Sequence, residues 1–177
     1  ELVKNKGFRV FSLPFESELQ LDGELSIHEE WLGSTWQDDC RQTAEIIEGN
    51  SLTPNWIVVD HYGLDSRWEK ACAGLTAKMM VIDDLADRAH DCDLLLDQNL
   101  YADSENRYNK FLNSHCVPLF GPAYALLRPE FREMRLTAET QIPEQFRLLV
   151  FFGGSDTSNE TAKALDAIGA LDGFQVY

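Results

Sequence analysis

In four places this 177-residue chain runs an apolar stretch straight into residues that could do chemistry. Asp60, His61 and Tyr62 follow "WIVV", Asp83 and Asp84 follow "MMVI", Asp97, Gln98 and Asn99 follow "LLL", and Gly153, Gly154, Ser155 and Asp156 follow "LLVFF". A histidine that titrates near neutrality suits proton transfer with water or a sugar contact, so His61 is a candidate catalytic residue, or else a hydrogen-bonded structural one. Tyr62 offers a phenol that can stack on a sugar and donate a hydrogen bond. Asp60 could act as a base or orienting group, or cap the next helix. Gly153 and Gly154 let the backbone turn tightly and approach a ligand, with the Ser155 hydroxyl as a further donor. The following segment "SNETAKALDAIGAL" predicts a helix whose N-terminal N–H groups would face that ligand. A phosphate would suit such a turn, which could equally be a plain connection. Asp156 would repel a phosphate and is better suited to capping the helix or ordering the loop.

The cluster Asp83, Asp84, Asp87, Arg88, His90, Cys92 and Asp93 mixes hard and soft ligands that match no standard metal set, which favours a structural network of Arg88 with carboxylates. Asp97, Gln98 and Asn99 would line the same cleft as Asp60 to Tyr62. Trp31 and Trp36 are expected to be packing groups in preference to sugar platforms. Arg128 could reach a phosphate or close a salt bridge at a helix start.

The elements that must position these residues alternate. Strands are predicted over 9–15, 55–62, 77–85, 92–100 and 117–120. Helices are predicted over 34–50 (capped by Ser34 or Thr35), over 66–75 (capped by Asp65 or Ser66), over 104–112 and over 128–136, the last with a proline in its first turn. Strands that are apolar throughout and separated by helical stretches indicate an α/β fold with a Rossmann-like parallel sheet covered on both faces. In open sheets of this kind ligands sit beyond the carboxyl ends of the strands, where the four polar stretches fall.

Composition narrows the function classes. The formal net charge is −15 with no Lys/Arg cluster, which argues against a nucleic-acid partner. The four cysteines lack a CxxC pair, which suits free thiols. No apolar run approaches the roughly 18 residues of a membrane helix, and the first residues lack a signal-peptide core, so a cytoplasmic protein without membrane contact is expected. The polar, proline-bearing stretch 134–147 predicts a boundary between a domain over 1–141 and the start of a second over 142–177. The chain opens at Glu1 and stops at Tyr177 inside the strand-like "GFQVY", so it is expected to be an internal piece of a longer protein.

Five segments in order, "EEWLGSTWQDD" (29–39), "VVDHYGLD" (58–65), "IDDLADRAHDCDLLLDQN" (82–99), "GPAYALLRPEFREMR" (121–135) and "VFFGGSDTSN" (150–159), resemble the UDP-2,4-diacetamido-2,4,6-trideoxy-β-L-altropyranose hydrolases of pseudaminic acid biosynthesis. The resemblance implies a GT-B-like pair of Rossmann domains and a UDP-linked amino sugar as partner. It further implies hydrolysis at the anomeric carbon with release of UDP, and no metal or cofactor. Gly153, Gly154, Ser155, Asp156, Asn159 and Asn99 are the candidate substrate contacts, and Asp60, His61 and Tyr62 the candidate catalytic residues. Members of that family begin with a Gly-rich G-x-G-H-x-x-R loop whose histidine is the base; this sequence has no such motif, which predicts an inactive fragment. A GT-B glycosyltransferase using a UDP-sugar and a non-catalytic nucleotide-binding module are the alternatives. A receiver-type phosphoacceptor domain is disfavoured because its acidic pair should precede, not follow, the strand-ending aspartate. The oligomeric state is open.

Overall fold

A computed structural model of the chain describes residues 2–13, 28–138, 146–153, 156–169 and 174–176. They fall into two units, Glu1–Leu126 and Leu127–Tyr177.

The first unit contains α1 (Leu2–Asn5), α2 (Trp36–Gly49), β1 (Trp56–Val59), α3 (Ser66–Cys72), β2 (Lys78–Ile82), β3 (Leu94–Asp97), α4 (Ser104–Arg107) and β4 (Val117–Phe120). The four strands form one parallel sheet in the order β1-β2-β3-β4, with Val59 beside Val81 and Leu95 beside Pro118. Local chemistry sets the helix starts. Thr35, not Ser34, caps α2 by accepting the Asp38 N–H at 3.1 Å, and Asp65 caps α3 by accepting the Arg67 N–H at 2.8 Å.

The period-2 alternation divides the sheet into unequal faces. One carries Val59, Met79, Val81 and Leu95 into a core with Cys40, Leu64, Trp68, Cys72, Cys92 and Tyr108. Fully burying a side chain such as Leu95 stabilises by about 1.5–3 kcal/mol. Among the described residues the opposite face is only partly covered, with Val58 still 55% exposed. The expectation of a sheet covered on both faces therefore holds for one face.

Two further expectations change. Residues 9–13 form no strand: a strand needs a ladder partner, and here Phe8, Val10 and Phe11 stand exposed while Arg9 stacks over the Phe11 ring and donates to Asn50 Oδ1. The helix expected over 104–112 contracts to α4, because Tyr108 is drawn into the core toward Asp83 and Asp97. The connection 83–93 between β2 and β3 holds no helix, only a loop.

In the second unit α5 (Pro129–Thr137) starts at its proline, and β5 (Phe146–Leu148), α6 (Glu160–Ile168) and β6 (Phe174–Val176) make a parallel β-α-β unit. Neither α5 nor α6 has a buried residue. The boundary expected near residue 141 lies outside the described residues. No described helix is long and apolar enough to cross a membrane.

Candidate functional site

The carboxyl ends of β1, β2 and β3 surround a cavity of about 190 Å3, lined by Asp60, Tyr62, Ile82, Asp83, Asp84, Leu96, Gln98 and Leu126. Parallel pairing puts these ends side by side, and so joins three of the polar stretches that the sequence separates by up to 39 positions, from Asp60 to Asn99. The volume is small beside the roughly 300–1,000 Å3 of typical ligand pockets.

Asp84 is the hub. Its Oδ1 accepts from the Tyr62 hydroxyl at 2.7 Å and its Oδ2 from Asn99 Nδ2 at 2.8 Å, so one carboxylate ties together the ends of all three strands. The hydrogen bond to Asp84, followed by burial, raises the Tyr62 phenol to about 12. Tyr62 is therefore a hydrogen-bond donor at neutral pH and not a base.

Asp83 and Asp97 are buried and matched with cations. Arg88 Nη2 lies 2.7 Å from Asp83 Oδ1, Arg88 Nε donates to the Leu64 carbonyl, and the Ala86 N–H donates to Asp83 Oδ2. The Arg88 to Asp83 contact lacks hydrogen-bond alignment, so its attraction is that of two opposite charges at short range. Arg107 Nη1 pairs with Asp97 Oδ2, and Nη2 donates to the Asp84 carbonyl at 2.8 Å. Tyr108, whose phenol is pushed up chiefly by burial, sets its hydroxyl 3.0 Å from Asp83 Oδ2 and 3.3 Å from Asp97 Oδ2. Deeper still, His90 Nδ1 meets Glu69 Oε1 at 2.7 Å with both side chains fully buried. The acidic stretch 83–93 is thus the network of Arg88 with carboxylates that its composition favours.

With two carboxylates matched by arginines, Asp60 and Asp84 are the cavity acids without an ion pair among the described residues. They leave an opening that accepts N–H and O–H groups and repels phosphate. His61 does not line it. Its Nδ1 accepts the Gly63 N–H at 3.0 Å, so the ring folds back on its own turn and in the neutral form carries its proton on Nε2.

The glycine turn is in the second unit. Gly153 has φ +83°, a left-handed conformation that favours glycine. Gly154 and Ser155 lie outside the described residues. Asp156 accepts the N–H groups of Glu160 and Thr161, each at 2.8 Å, and the Thr161 hydroxyl, then these N–H groups, hold its carboxyl below the usual range. The capping role expected of Asp156 is therefore met, and it takes two of the donors that an anion at this helix start would use. Asn159 adopts φ 57° at the cap position without a side-chain capping bond. Arg128 stands at the start of α5 with its guanidinium over the Phe131 ring.

Sequence reasoning missed Arg107, Tyr108 and Glu69 as supports of the site. Arg107 and Tyr108 sit in a stretch with helical patterning, and nothing local indicates that they turn inward. Trp31 is also unlike its expectation. It is 56% exposed, with its ring centroid 5.9 Å from that of Tyr62, whereas Trp36 lies against the core.

No family model matches the chain. It is 23% identical over 137 residues to an uncharacterized protein of Methanocaldococcus jannaschii, covering 75% of this chain and 28% of that protein. It is 29% identical over 103 residues to the UDP-2,4-diacetamido-2,4,6-trideoxy-β-L-altropyranose hydrolase of Campylobacter jejuni, covering 58% of this chain and 36% of the hydrolase. The chain spans about a third of the length of these curated relatives, and what they establish is a distant relationship that includes a nucleotide-sugar enzyme.

Proposed function

We propose that this chain belongs to a UDP-sugar hydrolase whose substrate carries a 2,4-diacetamido-2,4,6-trideoxyhexose. Water attacks the anomeric carbon, the bond from that carbon to the diphosphate oxygen breaks, and UDP leaves with the electron pair. The carboxylate-lined cavity takes the sugar, whose amide N–H and hydroxyl groups suit Asp60 and Asp84. Tyr62 donates and Asn99 holds Asp84 in place. Asp60 orients the water, whose proton passes to the histidine of the Gly-rich loop expected from the resemblance; His61 braces the Tyr62 turn. Gly153, Gly154 and Ser155, with Asp156 and Asn159 at the helix start, are the candidate phosphate-binding element of the second unit. The second unit is, in this reading, the beginning of the UDP-binding domain of a GT-B-like pair.

The observation that carries the reading is the 103-residue match to the Campylobacter hydrolase. Four carboxylates gathered at the strand ends, two of them matched by arginine, support a sugar in the cavity over a phosphate. Calorimetric titration of the chain with the altrose-configured UDP-sugar tests it. Binding that weakens in Asp84→Asn supports the reading, and a chain that does not bind the compound overturns it. Brisk UDP release by this chain would move the base to His61 or Asp60.

A further inference from the structure

Beside the cavity stand two rings, those of His28 and Trp31, that the proposed chemistry does not use. The 3-10 turn Glu29–Trp31 brings Trp31 to a centroid distance of 4.7 Å from His28 and 5.9 Å, edge-on, from Tyr62. Tyr62 is itself part of the cavity wall. A packing tryptophan would hide its indole, yet Trp31 with two ring neighbours remains 56% exposed.

The arrangement is braced from behind. His28 Nε2 bonds Asp87 Oδ2 at 2.8 Å, and Asp87 Oδ1 accepts from Arg88 Nη1 at 3.1 Å. Arg88 is the same buried guanidinium that pairs with Asp83 under the cavity. Gly63, directly after Tyr62, is needed for the approach: a Cβ there would come 2.9 Å from the His28 carbonyl oxygen, closer than real contacts allow. One arginine and one glycine therefore hold the ring group and the cavity in a fixed relation.

We propose that Trp31 is a stacking platform for the apolar C–H face of the sugar whose polar groups enter the Asp60 and Asp84 cavity, and that it determines specificity for a deoxy, N-acetylated ring. A hexose lacking its 6-hydroxyl presents more C–H surface than its hydroxylated counterpart, and an aromatic face beside hydrogen-bonding carboxylates matches that mixed character. Trp56 offers a contrast: it is also exposed, but it lies at the opposite end of β1 from the cavity. This inference rests on the cavity being a sugar site.

The test uses the methyl glycoside of 2,4-diacetamido-2,4,6-trideoxyhexose, without nucleotide, and saturation-transfer NMR on the wild-type chain, Trp31→Ala, Trp31→Phe and Asp84→Asn. Trp31→Ala should weaken binding about three- to ten-fold, the size of one aromatic contact, while Trp31→Phe keeps most of it. A 6-hydroxy analogue should lose its disadvantage in Trp31→Ala. Binding should also perturb a tryptophan emission component that Trp31→Phe lacks. Thermal melts confirm folding, and Trp31→Gln replaces the alanine variant should that one unfold. If Asp84→Asn weakens binding but Trp31→Ala stays within two-fold of wild type, the platform is refuted and the sugar site survives. If the wild-type chain does not bind the glycoside, the sugar site fails and the platform with it.

Discussion

The loop after β2 and the turn at Gly153 begin alike and end differently. Both follow an apolar run, both carry aspartates, and both suit a ligand loop. After β2, Asp83 is fully buried and held by Arg88, Tyr108 and the Ala86 N–H. Near Gly153, Leu149 and Phe151 are 77% and 76% exposed, and among the described residues Asp156 bonds only to its own turn and the helix start that follows. An acid after a strand becomes part of a rigid site only where neighbouring strands supply cations and remove water. The same local pattern without those neighbours gives a helix cap.

Breaking the first region should cost most. Arg88→Met leaves Asp83 as an uncompensated buried charge and should destabilise by about 3–5 kcal/mol, read from urea unfolding. An effect below about 1 kcal/mol would mean that the network does not form. Next, Leu95→Ala should cost about 2–5 kcal/mol, whereas Leu149→Ala should stay within about 0.5 kcal/mol. Equal losses would erase the contrast between the two regions.

Tyr62→Phe removes a donor to Asp84 and should cost about 1 kcal/mol. Its pH dependence has a defined sign. The folded phenol is raised to about 12 from 10.0, so its contribution is complete below pH 10 and is lost as pH rises toward 12. Phenolate absorbance should show this late titration in wild type and lack it in the variant; a midpoint at the ordinary value would remove the Asp84 bond from the account. The smallest effect is expected for Asp156→Ala, seen as faster amide exchange at Glu160 and Thr161. Because the folded carboxyl is depressed, the protection is present above its unfolded value of 3.8 and is lost as pH falls through the lower folded one. Unchanged exchange at those two amides would show that the cap is not formed in solution.

Much of this was legible in the chain. Trp56 to Val59 and Leu94 to Leu96 are apolar throughout and mark parallel strands, Pro129 marks a helix start, and the acids after β1, β2 and β3 mark the ligand end of the sheet. What the pattern could not carry was direction. Arg107 and Tyr108 have helical spacing but turn inward, His61 has catalytic chemistry but bonds its own turn, and Trp31 resembles a core residue but faces water.

By itself, then, the sequence determined the α/β alternation, the positions at which α2 and α3 are capped to within a residue, and the acidic character of the strand ends, because propensity, capping and hydrophobic period act over a few residues. Tertiary structure alone decided that Asp84 joins Tyr62 and Asn99, that Arg88 serves both Asp83 and Asp87, and that His61 stays out of the cavity. Those outcomes depend on which strands lie side by side and which charges lose water together, and both are properties of residues far apart in the chain.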